Sequence, residues 1–224
     1  MKLILASMGF TTDEIEKEVS EIVGKPAEEI NIAIINETVY EMDKNVNKRW
    51  LINELANVSK HIGGRIDFIN FQVQSKEEIR ERLMNADLIY IVGGKQHIYP
   101  RIFTETDTID IIYEAAEKKV IMGTSAGSIA LGMQIQSEKF WQKRYNIKLE
   151  DFKHQDLGMV PFNIIPHFLR EDRKKWTSEF FKDVLADNPF PVYAITDEQA
   201  IAYVDNKIKF IGGEPEVFGK LDNL

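Results

Sequence analysis

The chain has 224 residues and no cysteine. This absence excludes disulfide bonds, a thiolate nucleophile and cysteine-ligated metal sites, and it fits a reducing compartment. Histidine is also scarce: the four histidines, at positions 61, 97, 154 and 167, show no metal-ligand spacing. We therefore expect no metal site, and a chemistry that depends on oxygen and nitrogen side chains.

Basic charge is in deficit, with 28 Lys and Arg residues against 36 Asp and Glu residues and a net charge of −8 at pH 7. The sequence has no basic stripe of the kind that a nucleic-acid backbone requires, so no nucleic-acid partner is expected. Long hydrophobic runs are lacking as well. The run Leu3–Ala6 is too short for a signal peptide, and no other stretch approaches the length of a membrane span. We expect a soluble, cytoplasmic protein without membrane association.

No stretch rich in proline, glycine or serine divides the chain, and its composition does not shift along its length. With 44% hydrophobic residues, a chain of this size can bury the core of one large domain. The sequence therefore predicts a single domain over residues 1–224.

Strand-like and helix-like segments alternate through the first 130 residues, which favours a parallel sheet with helices on both faces. The predicted strands are 2–6, 32–36, 66–73, 88–92 and 120–122, and the predicted helices are 12–23, 46–61, 76–85 and 100–118. Shorter segments follow, with strands at 159–165, 191–195, 199–204 and 207–211 and a helix at 171–186. The predicted fold class is α/β, with a doubly wound and mostly parallel sheet. Such sheets bind ligands beyond the carboxyl ends of their strands.

Gly123-Thr124-Ser125-Ala126-Gly127 lies at such a strand end, between an apolar strand and a helix start. In a Gly-x-Ser-x-Gly turn the glycines allow a sharp change of direction that leaves the serine hydroxyl projecting. The amide of Ala126 opens the helix, where unpaired N–H groups favour an oxyanion. Ser125 is therefore a candidate nucleophile.

A serine nucleophile needs a base and an acceptor that orients the base. His167 follows the mostly apolar run 162–165, so it emerges at the end of a buried strand and fits the base best. The orienting carboxylate is either Asp197 or Glu198, which lie between two apolar strand segments. Successive strand residues face opposite ways, so only one of the two can point at His167, and the spacing alone does not decide between them.

Five segments, taken together, resemble the peptidase E and cyanophycinase family of serine peptidases. They are Leu5–Thr11, Ile91–Gly94, Gly123–Gly127, Pro166–Phe168 and Ile195–Ala200, the last followed by Ile211-Gly212-Gly213. Five motifs in order are far more specific than one. The resemblance implies a flavodoxin-like fold, as in class I glutamine amidotransferases. It also implies a nucleophile Ser125, a base His167 and an orienting acid Glu198.

The glycine loop departs from the family pattern. Peptidase E members typically read Gly-Gly-Gly-Asn-Thr, whereas this chain reads Gly93-Gly94-Lys95-Gln96-His97. A backbone N–H at Gly94 or Lys95 can still donate to an oxyanion after this change, because a backbone donor does not depend on the side chain. Side-chain recognition by Gln96 is altered, since it is one methylene longer than Asn. Arg170 lies close to the position of the family arginine that pairs with a substrate carboxylate.

The sequence and the resemblance together predict a cofactor-independent serine hydrolase that cleaves amide bonds of small acidic peptides through an acyl-enzyme. Because the glycine loop differs, we do not expect a standard Asp-X dipeptidase. Two alternatives stay open: a cyanophycinase-like enzyme or esterase that uses the same three residues, and a non-catalytic binder of a small acidic metabolite. The expected partner is a small peptide, with a homodimer as a possible assembly.

Overall fold

The computed structural model describes residues 1–220. Its strands are β1 (Lys2–Ala6), β2 (Ile32–Ile35), β3 (Ile66–Ile69), β4 (Leu88–Ile91), β5 (Val120–Thr124), β6 (Asn163–Ile165), β7 (Val192–Ala194), β8 (Ala200–Val204), β9 (Lys207–Ile211) and β10 (Glu216–Phe218). Its α-helices are α1 (Asp13–Val23), α2 (Thr38–Glu41), α3 (Arg49–His61), α4 (Lys76–Asn85), α5 (Ile98–Glu105), α6 (Ile109–Lys118), α7 (Ala126–Leu131), α8 (Glu138–Tyr145) and α9 (Ser178–Val184).

The larger sheet has seven strands in the order β3-β2-β4-β5-β1-β8-β9. The first five are mutually parallel, whereas β8 runs antiparallel to β1 and forms a hairpin with β9. The carboxyl ends of β1, β2, β4 and β5 therefore share one edge, and the amino end of β8 lies at the same edge. This edge brings together loops that are far apart in sequence.

Both faces of the central strands β1, β2, β4 and β5 are buried, which explains their continuous apolar sequences. In β1, Leu3 and Leu5 pack into the core cluster that includes α4, α5 and α6. Ile4 and Ala6 point the opposite way, into the cluster that includes residues of α1 and α3. The alternation follows from the two-residue period of a strand, and it places helices on both sides of the sheet.

A smaller sheet has three strands in the order β10-β7-β6. β6 and β7 are parallel, and β10 runs antiparallel to β7. Its core includes Phe140 and Trp141 of α8 and Phe181 of α9, all buried. Of the short segments after residue 134, β6, β7 and β10 thus form a separate layer beside the nucleophile turn, whereas β8 and β9 extend the larger sheet.

The mostly parallel α/β fold confirms the predicted class, with differences at element ends. The helix predicted over 100–118 is two helices, α5 and α6, because Asp107 adopts a positive φ of 52° between them. The helix predicted over 171–186 begins as an α-helix only at Ser178, and the strand predicted over 66–73 ends at Ile69. β10 was not predicted from the sequence.

Within residues 1–220, no helix is both long and apolar enough to cross a membrane.

Candidate active site

The nucleophile turn joins β5 to α7, as the motif predicts. Ser125 has φ 50° and ψ −113°, and its N–H donates to the Ala6 carbonyl at 3.0 Å. A Cβ on Gly127 would lie 2.2 Å from the carbonyl oxygen of Ile91, so only glycine allows α7 to sit this close to β4. The turn therefore holds Ser125 in a strained conformation at the edge of the sheet.

His167 follows β6 of the smaller sheet and reaches Ser125 across the boundary between the two sheets. Its Nε2 lies 2.9 Å from Ser125 Oγ. Its backbone N–H donates to Ser7 Oγ at 2.7 Å, and its φ is 61°. The residue is buried, at 7% exposure, so its ring position is fixed by these contacts.

The carboxylate beside His167 is Asp197 and not Glu198, which corrects the assignment that the family resemblance implies. Asp197 Oδ1 lies 2.5 Å from His167 Nδ1. Residues 196–199 form a turn, closed by a 3.1 Å hydrogen bond from the Gln199 N–H to the Thr196 carbonyl. This turn directs Asp197 inward, where Ser7 Oγ also donates to it at 3.1 Å, and it leaves Glu198 exposed.

The charges of the two partners are set by burial and by each other. Burial lowers the pKa of His167 and outweighs the Asp197 hydrogen bond, which raises it. For Asp197, burial raises the pKa, whereas the hydrogen bonds from His167 and Ser7 lower it. The lowering is the larger effect, so the net pKa is below its ordinary value. A neutral imidazole beside an ionised carboxylate follows. Because the carboxylate can only accept, Nδ1 carries the proton and Nε2 is free to accept from Ser125.

Gly94 and Ala126 line the same groove as Ser125, and their backbone N–H groups have no acceptor within residues 1–220. The Lys95 amide does not join them, because it donates to Thr38 Oγ1 at 2.8 Å. Gly94 has φ 129°, and a Cβ on it would lie 2.4 Å from Thr38 Oγ1. Of the three predicted oxyanion donors, Lys95 is therefore wrong, since Thr38 already occupies its N–H.

A groove of about 540 Å³ opens from Ser125 towards α8. Trp141, Tyr145, Phe152 and Trp176 supply aromatic walls, and Lys95, Gln96 and His97 form part of its rim. Gln96 is held from behind, since its Nε2 lies 3.4 Å from Asp156 Oδ2. Burial raises the pKa of Asp156 to about 8, so this carboxyl is neutral at pH 7.

Two arginines of the groove have no carboxylate within 4 Å in the described part of the chain, Arg144 and Arg173. The Arg144 guanidinium lies 5.3 to 5.5 Å from the ring centres of Phe140, Tyr145, Trp176 and Phe181.

Arg170, the predicted carboxylate-binding residue, differs from these two arginines because it is paired with carboxylates of the protein. Its Nε and Nη2 donate to Asp172 at 2.7 and 2.9 Å, and Nη1 lies 3.8 Å from Asp197. Arg170 is thus largely committed within the protein.

Sequence reasoning missed three residues that shape this site. Ser7 holds both His167 and Asp197, and its position at the carboxyl end of β1 was the available signal. Thr38 follows β2 at the same edge. Glu54 comes from α3, and its carboxyl accepts from the Tyr90 hydroxyl at 3.1 Å. The sequence does not reveal that a glutamate in the middle of a helix, such as Glu54, faces the end of a strand.

One group of residues in the described part of the chain could hold a metal ion. The ligand atoms of Asp13, Glu16 and His61 lie within 4.8 Å of one another. None of the three lines the groove, and Glu16 Oε2 already bonds His61 Nδ1 at 2.5 Å.

Comparisons with solved structures agree with the fold. The chain aligns with a candidate peptidase E from Listeria monocytogenes EGD-e at a TM-score of 0.71 and 18% identity, covering 93% of this chain and 96% of that one. A peptidase from an acI-B1 Actinobacterium aligns at a TM-score of 0.62 and 19% identity, with 98% and 87% coverage. At these identities the likeness shows a shared fold.

Sequence comparisons identify related peptidases and the family of the chain. An uncharacterized peptidase of Pasteurella multocida (strain Pm70) is 25% identical over 167 residues, which are 74% of this chain and 78% of that protein. An uncharacterized peptidase of Listeria monocytogenes is 24% identical over 144 residues, 62% and 67% of the two chains. The model of peptidase family S51 matches residues 8–211, and this span includes Ser125, His167 and Asp197. The chain therefore belongs to peptidase family S51, a family of serine peptidases.

Proposed function

We propose that this serine peptidase cleaves amide bonds of small acidic peptides through an acyl-enzyme, with Ser125, His167 and Asp197 as its catalytic triad. The observation that carries the proposal is the continuous series of contacts among the three side chains, 2.9 Å from serine to imidazole and 2.5 Å from imidazole to carboxylate. Asp197 takes the role that the family resemblance implies for Glu198. No cofactor enters this chemistry.

The reaction starts when Ser125 Oγ attacks the scissile carbonyl and its proton passes to His167 Nε2. The carbonyl oxygen becomes an oxyanion, which the amides of Gly94 and Ala126 receive. Asp197 stabilises the imidazolium, which then gives its proton to the leaving amine as the C–N bond breaks. Water, deprotonated by the same imidazole, then attacks the acyl carbonyl. The ester C–O bond breaks, the imidazolium gives its proton to Ser125 Oγ, and the acid product leaves.

The preference for acidic substrates rests on the charge of the groove. Arg144 and Arg173 lack carboxylate partners within residues 1–220, and a guanidinium binds a carboxylate in a planar, two-pronged geometry. The groove also continues past His97 into a neighbouring pocket of about 380 Å³ with both basic and acidic lining residues, in which Arg101 is paired with Glu41 and Glu105. The two spaces together leave room for a substrate longer than a dipeptide, and the acidic preference rests on Arg144 and Arg173.

The central test of the proposal is covalent labelling with a fluorophosphonate probe. The wild-type protein should be labelled on Ser125, and the Ser125→Ala variant should not be labelled and should lose hydrolysis by about 10⁶-fold. Exposed Ser59 serves as a control, since Ser59→Ala should keep full labelling. Absence of labelling in a folded wild-type protein would support a non-catalytic binder instead.

The two acidic neighbours should differ sharply in their effect. Asp197→Asn removes the acceptor that fixes the imidazole tautomer, so kcat should fall by about 10³- to 10⁴-fold. Glu198→Gln alters an exposed side chain and should leave kcat within about 2-fold of the wild type. Steady-state hydrolysis of one acidic peptide by both variants measures the difference. A larger loss in the Glu198 variant would restore the original assignment.

The labelling rate should depend on pH through His167. The base acts only when neutral, so the rate should fall as pH drops through the His167 pKa, with a midpoint below the ordinary value of 6.5 because the ring is buried. An uncharged fluorophosphonate makes the rate independent of substrate ionisation. In Asp197→Asn the midpoint should move lower still, since the group that raises the pKa is gone. A rate that does not change between about pH 4 and pH 8 contradicts the histidine base.

Asp-Leu should be a poor substrate. Gln96 stands where peptidase E members carry Asn, and its link to Asp156 holds it away from the geometry that an Asn side chain would offer. Mispaired polar groups cost about 10²- to 10⁴-fold in kcat/KM, so Asp-Leu should lag behind a longer acidic peptide by that factor. Gln96→Asn should narrow the gap. Efficient cleavage of Asp-Leu by the wild type would show that Gln96 does not reach the substrate.

A further inference from the structure

The two edges of the larger sheet differ in their side chains. β9 forms one edge, and its exposed residues are Lys207 and Lys209; lysine is a side chain that commonly prevents an edge strand from pairing with another chain. β3 forms the other edge, and its exposed residues are Ile66 and Phe68, at 36% and 47% exposure. An apolar edge strand of this kind can pair with a strand of a second molecule.

The backbone of β3 offers hydrogen-bonding groups at this edge. The Arg65 carbonyl faces β2, since it accepts from the Ile32 N–H at 2.8 Å. Because successive residues of a strand direct their backbone groups to opposite sides, the N–H and the carbonyl of Ile66 point away from β2. No strand of the described residues lies on that side of β3. The Phe68 carbonyl points the same way, but it already accepts from Arg82 Nη2 at 3.1 Å.

The charges beside Ile66 favour one way of pairing two β3 strands. When two identical strands pair antiparallel about a twofold axis at Ile66, the two Ile66 residues lie opposite each other as a hydrogen-bonded pair. Arg65 of each strand then lies opposite Asp67 of the other, which gives two pairs of opposite charge. Arg65 is exposed and forms no ion pair within residues 1–220, so its guanidinium is available for such a contact.

Two neighbouring registers match these features less well. A twofold axis at Asp67 would place two carboxylates opposite each other, which is unfavourable even though Arg82 lies beside each of them. An axis at Phe68 would use the Phe68 carbonyl, which Arg82 already occupies, and would place Asp67 opposite Ile69 rather than Arg65. Of the three axes, the one at Ile66 both uses unoccupied backbone groups and pairs opposite charges.

We propose that β3 is the interface of a homodimer, in which a second copy of this chain pairs antiparallel about Ile66 and the two larger sheets join into one. The antiparallel arrangement places the carboxyl ends of the parallel strands of the two copies at opposite edges of the joined sheet. Ser125 of one copy is therefore remote from Ser125 of the other, and no residue of β3 lines the groove. The dimer forms without any requirement for the proposed peptidase function.

Analytical ultracentrifugation of the full chain at micromolar concentration tests the dimer. The wild type should sediment with twice the chain mass of 25.9 kDa. Arg65→Glu turns both attractive charge pairs into repulsive ones, so the dissociation constant of the dimer should rise by about 10- to 100-fold. Lys207→Glu makes the same charge change at the β9 edge and should leave the dissociation constant unchanged. Circular dichroism confirms that both variants are folded. A monomeric wild type, or an equal effect of the two variants, would overturn the proposal.

Single cysteines test the register, because the chain has none of its own. Ile66→Cys puts two thiols across the twofold axis, at the Cα separation of ~5.5 Å of a hydrogen-bonded antiparallel pair, which a disulfide can span. Mild oxidation should convert most of this variant into covalent dimers on a non-reducing denaturing gel. Phe68→Cys is the matched control, since its two thiols would lie four residues out of register, too far apart for a disulfide. Faster linking through Phe68→Cys than through Ile66→Cys would contradict the proposed pairing.

Discussion

The contact between Gly127 and the Ile91 carbonyl sets how closely α7 approaches the sheet. Because no side chain intervenes there, the helix begins directly above β4 and β5, and its first amides lie beside Ser125. The N–H of Ser125 is held in turn by Ala6 of β1. Three neighbouring strands thus fix one backbone turn, and the strained conformation of the serine persists because its surroundings leave no alternative.

Around this turn, carboxyl groups are kept in different ionisation states by their partners. Asp197 is ionised because His167 and Ser7 donate to it, whereas the buried carboxyls of Asp156 and Glu54 lack cationic partners and have raised pKa values. The ionised group accepts a hydrogen bond from the His167 ring. The neutral or half-ionised groups contact other parts of the site, Asp156 at Gln96 and Glu54 at Tyr90. The same residue type therefore performs separate tasks, according to what lies beside it.

The sequence was sufficient to predict what depends on local patterning. Alternating elements, the glycines around Ser125 and the apolar run before His167 each have a short-range signature, and the structure places those two side chains in contact. The choice between Asp197 and Glu198 depends on a turn whose direction is set by tertiary packing. The Lys95 amide was assigned wrongly because Thr38, 57 residues away, takes its N–H. Partners from distant segments leave no local trace, and Glu54 was missed for the same reason.

The proposed base and the proposed nucleophile belong to different sheets. Ser125 follows β5 of the larger sheet, whereas His167 follows β6 of the smaller one, and Ser7 Oγ is among the atoms that join the two. If the smaller sheet were not docked on the larger one, the turn that holds Ser125 would remain, but the His167 imidazole would no longer lie beside Ser125. In the proposed mechanism, catalytic competence therefore requires that both layers are formed and that they are docked against each other.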